Sequence, residues 1–185
     1  MDHKEALARL LQGNEAYVKN GKGIGDISSG IRLRTAREGQ APFAVVITCA
    51  DSRVIPEAVF QTGIGDLFVI REAGNVIGTN ELGSIRYAAE HLGTRLILVL
   101  GHTGCGAVLA AIHHDPEDYI RALTDEILKA IGEERDPYRA VCLNVRAGIR
   151  LIRDTLGYGG EEGPRVLGAV YYLETGKVAF LDEAD

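Results

Sequence analysis

The chain has 185 residues, 46% of them hydrophobic, so it is long and apolar enough to form a substantial core. Its formal net charge of −6 argues against a nucleic-acid partner, and no apolar run approaches the ~20 residues of a membrane span. Three cysteines are an odd number for a disulfide framework, and no apolar signal core follows Met1, so we expect reduced thiols and a cytoplasmic location.

The first 38 residues are predicted to form a helical arm. Residues 3–19 place apolar side chains at helical spacing among charged ones, residues 21–26 form a glycine-rich loop, and residues 31–37 form a short helix. The amphipathic first helix needs a surface to cover. That surface is either the core of its own chain or, in an oligomer, a neighbouring copy. With this arm, residues 1–185 are predicted to form a single domain.

The rest of the chain alternates short apolar runs with amphipathic segments. Strands are predicted at residues 43–48, 67–70, 95–100, 165–173 and 177–181, the last two joined by a hairpin-like turn. Helices are predicted at residues 56–60, 79–92, 107–112, 116–131 and 137–156. The first three strands are rich in branched aliphatic residues, which is typical of parallel strands covered on both faces. The sequence therefore predicts an α/β fold with a mostly parallel central sheet flanked by helices.

Chemically reactive side chains follow two of these strands. Cys49 and Asp51 come directly after the first strand, and His102 and Cys105 follow the third. Ligands in open α/β sheets bind beyond the carboxyl ends of the strands, so these residues converge if the two strands are neighbours. Two thiolates, one imidazole and one carboxylate make a tetrahedral zinc set. We therefore predict one zinc ion per chain at this edge of the sheet.

The other cysteine and the other histidines lack this placement. Cys142 lies within a helical pattern with no His or Asp at ligand spacing, so it is predicted to be a core residue. His3 and His91 are predicted to be structural or exposed. The pair His113–His114 is either a proton-transfer group near the site or part of an exposed loop.

Asp51 and Arg53 are two residues apart in the turn after the first strand. They form either a surface ion pair of small energy or a charge-assisted pair beside the metal. In the second case Asp51 is a possible fourth zinc ligand, which gives a closed state. Alternatively, Arg53 holds Asp51 away and the fourth position stays open to water.

The motifs Cys49-x-Asp51-x-Arg53 and His102-x-x-Cys105-Gly106 resemble those of the β-class carbonic anhydrases. The likeness extends over residues 5–182. It implies that Cys49, His102 and Cys105 bind zinc and that Asp51 and Arg53 form a catalytic pair beside it. A zinc-bound hydroxide then attacks carbon dioxide and gives bicarbonate and a proton.

The resemblance also assigns residues to the substrate, namely Gln40, Phe68, Ala73, Tyr87 and Gly104. Gln40 resembles the glutamine that hydrogen-bonds bicarbonate in the plant-like branch of the family. Phe68 and Tyr87 fall where that branch lines an apolar carbon dioxide pocket. The chain has no Trp, so it lacks the Trp-containing bicarbonate pocket that closes some bacterial members. The expected site is therefore the open one.

Two further functions are compatible with these residues. The same scaffold could hydrolyse carbonyl sulfide or carbon disulfide, which are linear triatomics open to the same attack. The chain could also be a non-catalytic, zinc-stabilised binding module in which Asp51 is a permanent fourth ligand.

The family resemblance further implies a homodimer or homotetramer in which the first helix lies across a neighbour and the pocket borders the interface.

Overall fold

The computed structural model describes residues 1–21, 23–114, 117–160 and 163–182. Its five strands are β1 Ala44–Thr48, β2 Leu67–Arg71, β3 Leu96–His102, β4 Arg165–Tyr171 and β5 Val178–Phe180. They form one sheet in the order β2-β1-β3-β4-β5. The first four strands are parallel and β5 is antiparallel to β4. The predicted α/β class with a mostly parallel sheet is confirmed.

The described helices are α1 His3–Asn20, α2 Ser29–Glu38, α3 Pro56–Val59, α4 Thr79–Arg86, α5 Gly106–Ile112, α6 Arg121–Ile131 and α7 Pro137–Leu156. Short 3₁₀ helices cover Ala73–Asn75 and Asp118–Ile120, and a π-helical turn covers Tyr87–His91. The predicted helix at 137–156 is confirmed at both ends. Asp136 caps its start by accepting from the Arg139 N–H, and Gly157 ends it in the left-handed conformation.

Several predicted boundaries differ from the structure, among them the ends of β4 and β5, which are shorter than predicted. The helix predicted at 79–92 changes from α to π at Tyr87, whose carbonyl accepts from the Leu92 N–H at 3.3 Å. The helix predicted at 116–131 begins as 3₁₀ at Asp118, and Pro116 lies outside the described residues. The third strand continues two residues beyond position 100 and includes His102, because β4 pairs with it to that point.

The central strands are buried on both faces. Alternation along β1 and β3 sends Val46 and Leu98 into one apolar layer and Val45 and Ile97 into the other. The first layer is covered by α1, and the second is covered by α4 and α7. The central sheet is therefore rigid, and its carboxyl edge positions the loops that follow β1 and β3.

Helix α1 packs against its own chain. Ala6 and Leu10 are fully buried in the layer beneath the sheet. Asn14 donates to the carbonyls of Val59 and Gly176 at 3.3 and 2.8 Å, and its side-chain oxygen accepts from the Val178 N–H. The inner face of α1 is thus occupied by its own chain. That the helix also lies across a neighbouring copy, as the family resemblance implies, stays a prediction. No described helix is long and apolar enough to cross a membrane.

Candidate metal centre

The strand order brings the predicted metal ligands together. β1 and β3 are parallel neighbours with Thr48 opposite Leu100, so Cys49 and His102 leave the sheet at the same edge. Cys105 follows a tight turn through Gly104, whose φ of +64° is in the left-handed region. The ligand atoms of the three residues lie within 4.8 Å of one another, and all three side chains are buried.

Nε2 of His102 is a hydrogen-bond acceptor that has no donor among the described residues. Nδ1 of the same ring lies 3.0 Å from the Thr103 carbonyl, and since a carbonyl can only accept, Nδ1 carries the proton. In the tautomer that this contact selects, Nε2 carries the lone pair, and the residue is fully buried. No hydrogen-bond partner for Nε2 exists among the described residues. A buried acceptor without a donor destabilises the folded chain, and a metal ion bound to its lone pair removes that penalty.

The two neighbouring sulfurs also require a cation. Cys49 Sγ and Cys105 Sγ are 4.0 Å apart. A hydrogen bond from Cys105, helped by the neighbouring His102 and by the N–H groups of Asp51 and Gly74, lowers the pKa of Cys49 to about 4. The same pairing, together with burial, raises the pKa of Cys105 above its ordinary value. Both thiols can ionise together only with a cation between them, and two thiolates with one imidazole suit zinc.

Arg53 holds Asp51 in a two-pronged ion pair beside this group. Arg53 Nε donates to Asp51 Oδ1 at 3.0 Å, and Nη2 donates to Oδ2 at 2.7 Å. The hydrogen bond from Arg53 is the largest cause that holds the pKa of Asp51 well below its usual range. Asp51 Oδ2 lies 3.9 Å from His102 Nε2, so this carboxylate borders the metal position.

Two residues that sequence reasoning missed brace the site. Arg71 donates from Nε to the Cys49 carbonyl at 3.2 Å and from Nη2 to the Asp51 carbonyl at 2.6 Å. Asn144 Nδ2 donates to the Gly74 carbonyl at 2.8 Å, while the Gly74 N–H donates to Cys49 Sγ at 3.2 Å. The position of Arg71 at the carboxyl end of β2 was a usable signal. Asn144 lies 70 residues from Gly74 along the chain, and no sequence signal indicated its contact with the site.

The residues assigned to the substrate fall into two groups. Gly104 and Ala73 lie at the metal edge: the Gly104 carbonyl accepts from Arg53 at 3.4 Å, and Ala73 precedes Gly74. Gln40 precedes β1 and so lies at the opposite end of a strand about 15 Å long. Phe68 pairs with Val45 near that same end, and its ring is 6.2 Å from Tyr87. One chain therefore does not bring Gln40, Phe68 and Tyr87 to the metal ligands.

The remaining candidates stay apart from the metal group. Cys142 is buried in α7, as predicted, and is not among the converging ligand atoms. His91 stacks on Tyr87 with ring centroids 5.0 Å apart. His113 and His114 are exposed, and His114 Nε2 lies 3.2 Å from Arg135 Nη2. A proton-transfer role for this pair remains a prediction.

Comparison with known proteins identifies the family. The carbonic anhydrase family matches residues 44–178. Carbonic anhydrase 2 of Mycobacterium tuberculosis is 43% identical over 96% of this chain and 92% of its own length. A β-carbonic anhydrase structure from Aspergillus fumigatus superposes with a TM-score of 0.77 at 25% identity, covering 98% of this chain and 91% of its own.

A structure from a study of two tetrameric β-carbonic anhydrases of Sordaria macrospora gives a TM-score of 0.63 at 26% identity. It covers 96% of this chain and 97% of its own. The sequence matches span nearly the whole chain, and the fold and the Cys-His-Cys group agree with them. The chain therefore belongs to the β-class carbonic anhydrases, zinc enzymes that catalyse the reversible hydration of carbon dioxide to bicarbonate.

Proposed function

We propose that Cys49, His102 and Cys105 hold the zinc ion and that Asp51, fixed by Arg53, orients the attacking water. The observation that carries this assignment is the convergence of two sulfurs and an orphan imidazole nitrogen beside a carboxylate whose two oxygens both accept from Arg53. A carboxylate held in this way favours an open fourth position. A centre built on two thiolates also favours a reducing compartment such as the cytoplasm.

The chemistry follows from the protonation states of these groups. Bound zinc supplies the Lewis acidity that makes water a nucleophile near neutral pH. Asp51 stays ionised because Arg53 depresses its pKa, so it can only accept a hydrogen bond. Asp51 therefore accepts a hydrogen bond from an oxygen that still carries a proton. This hydrogen bond turns a lone pair of that oxygen toward the substrate. Arg71 holds the backbone of the same turn, so the direction of this acceptor is fixed before substrate arrives.

The two alternative functions are not favoured. Hydrolysis of carbonyl sulfide or carbon disulfide would use the same attack, but the relatives that match most of the chain are carbonic anhydrases. A non-catalytic zinc module needs Asp51 as a permanent ligand. The two hydrogen bonds from the Arg53 side chain oppose that arrangement, because they hold the carboxylate in place and offset its negative charge.

Activity and metal content test the proposal together. We expect purified protein to contain about one zinc per chain, in line with a single three-residue donor set, and to hydrate carbon dioxide in a stopped-flow assay with a pH indicator. Removal of zinc by a chelator should abolish activity, and added zinc should restore it. Zinc-loaded protein without carbon dioxide hydration would contradict the proposed roles of Asp51 and Arg53.

We further propose that a second copy of the chain completes the substrate pocket. β2 is an edge strand whose apolar residues, Phe68 among them, are half-buried, and Tyr87 is 46% exposed. Leu33 of the 1–38 segment is also exposed. An edge strand with apolar side chains is a surface that another chain covers. In a two-fold dimer, Gln40 and Tyr87 of one chain can approach the metal ligands of the other. The Sordaria enzymes described as tetrameric support assembly beyond the monomer.

Complementation between two inactive variants tests this shared site. Gln40→Ala should lack the bicarbonate donor, and Cys49→Ser should lack metal. When both are coexpressed equally, half of the dimers are mixed and each mixed dimer has one complete site, so about a quarter of wild-type activity should return. Replacing the second variant with the Gln40→Ala, Cys49→Ser double variant should remove this recovery. A monomer in sedimentation velocity, or no recovery in the mixture, would show that the pocket is built within one chain.

A further inference from the structure

A second cavity lies behind the metal centre, between the 3₁₀ helix Ala73–Asn75 and the helices α6 and α7. Its volume is about 210 Å³, and residues of all three elements line it. Gly74 separates it from the metal ligands, since the Gly74 N–H faces Cys49 Sγ and its carbonyl faces Asn144 on the cavity wall. The roles proposed above for carbon dioxide hydration do not involve this cavity.

Asn75 gives this cavity an unused hydrogen-bond donor. The residue lines the cavity, is only 4% exposed and has a φ of +47°, a conformation that Asn tolerates better than most residues. Among the described residues its Nδ2 has no hydrogen-bond partner. Buried donors of this kind are rare in folded proteins and are satisfied by a water molecule or by a bound group. Nδ2 is almost fully shielded from solvent, so a group in the cavity reaches it only when the Asn75 side chain turns.

The charged residues of the wall favour an anion. Lys129 and Glu126 form an ion pair at 2.5 Å and so neutralise each other. Arg150 also lines the cavity, is exposed, and forms no ion pair with any described residue. The three side chains together carry a net charge of +1. A guanidinium presents a planar fork that matches a carboxylate.

The rest of the wall is apolar. Val76, Ile77, Ala147 and Leu151 line the cavity between the polar groups. Its volume of about 210 Å³ is below the ~300 Å³ of the smallest drug-sized sites. A ligand with one charged head and a short hydrocarbon tail therefore matches both the polar and the apolar parts of this wall.

We propose that this cavity is a binding site for a small organic monocarboxylate. Its carboxylate accepts hydrogen bonds from Arg150 and, once the Asn75 side chain turns toward the cavity, from Asn75 Nδ2. Its single negative charge balances the net charge of the wall. Its hydrocarbon part packs against Val76 and Leu151. The apolar wall disfavours inorganic phosphate, which is polar on all sides.

Ligand-observed NMR titration of the zinc-loaded enzyme with butyrate tests the proposal. Excess azide is included throughout, so that an open metal position is occupied by another small anion. We expect saturable butyrate binding that Arg150→Ala weakens by about tenfold or more. Ala147→Phe should abolish binding by filling the cavity. Glu126→Gln should strengthen it, because the net charge of the wall then rises to +2.

Arg146→Ala is the matched control, because Arg146 lies one turn earlier on α7 and outside the cavity lining. It removes the same charge and should leave butyrate binding unchanged. Carbon dioxide hydration by each variant reports that it has folded, and Arg150→Ala remains decisive if Ala147→Phe does not fold. The proposal is overturned by any of three results: no saturable binding to wild type, equal weakening in Arg146→Ala and Arg150→Ala, or phosphate binding as tightly as butyrate.

Discussion

Replacing Arg53 with alanine is expected to abolish most carbon dioxide hydration while zinc stays bound. In the wild type both oxygens of Asp51 accept hydrogen bonds from Arg53. Without that fork, Asp51 becomes an unpaired anion whose Oδ2 lies 3.9 Å from His102 Nε2, at the border of the metal position. The carboxylate can then satisfy itself by ligating zinc, which leaves no position for water. We expect a loss of about 100-fold, the upper end for residues that orient a metal site.

Stopped-flow rates and zinc content measured on the same Arg53→Ala sample check this expectation. Arg53→Lys is the matched control, since lysine keeps the positive charge but loses the planar fork. It should fall between wild type and the alanine variant. If Arg53→Ala is fully active with zinc bound, Asp51 does not control the fourth position, and Arg53 is an ion pair of structural value only.

Loss of metal is expected from each of three single substitutions, Cys49→Ser, His102→Ala and Cys105→Ser. Each removes one of three buried ligand atoms that lie within 4.8 Å of one another. Two protein ligands do not hold zinc against dilution and a chelator, since structural and catalytic zinc sites use at least three. Zinc content after gel filtration in the presence of a chelator should therefore drop to background, and activity should be lost with it.

Cys142→Ser is the control for this series. Cys142 is buried in α7, and its sulfur is not part of the converging group, so zinc content should match that of the wild type. Some loss of stability is expected, because a hydroxyl replaces a thiol in an apolar layer. Metal loss in this variant would mean that the ligands have been assigned wrongly.

The sequence alone determined the strands and the metal donor set. Short branched-aliphatic runs are buried on both faces in β1 and β3, and such runs have few alternatives to a central parallel strand. Reactive residues at the ends of those runs could be expected to meet, since parallel strands end at one edge. The ends of α7 were also readable, because Asp136 and Gly157 act through contacts within one or two turns.

Only the tertiary structure decided which distant residues support the site and how far Gln40 lies from the metal ligands. Arg71 reaches the carbonyls of Cys49 and Asp51 across β2 and β1, and Asn144 reaches Gly74 from α7. These contacts join residues 20 to 70 positions apart, and no local periodicity encodes them. Gln40 and Cys49 are only nine residues apart in the chain, yet the strand between them is extended and holds them at opposite ends of the sheet. The family resemblance assigns both residues to the zinc site, and the extended length of β1 supports the proposal that a second chain brings Gln40 there.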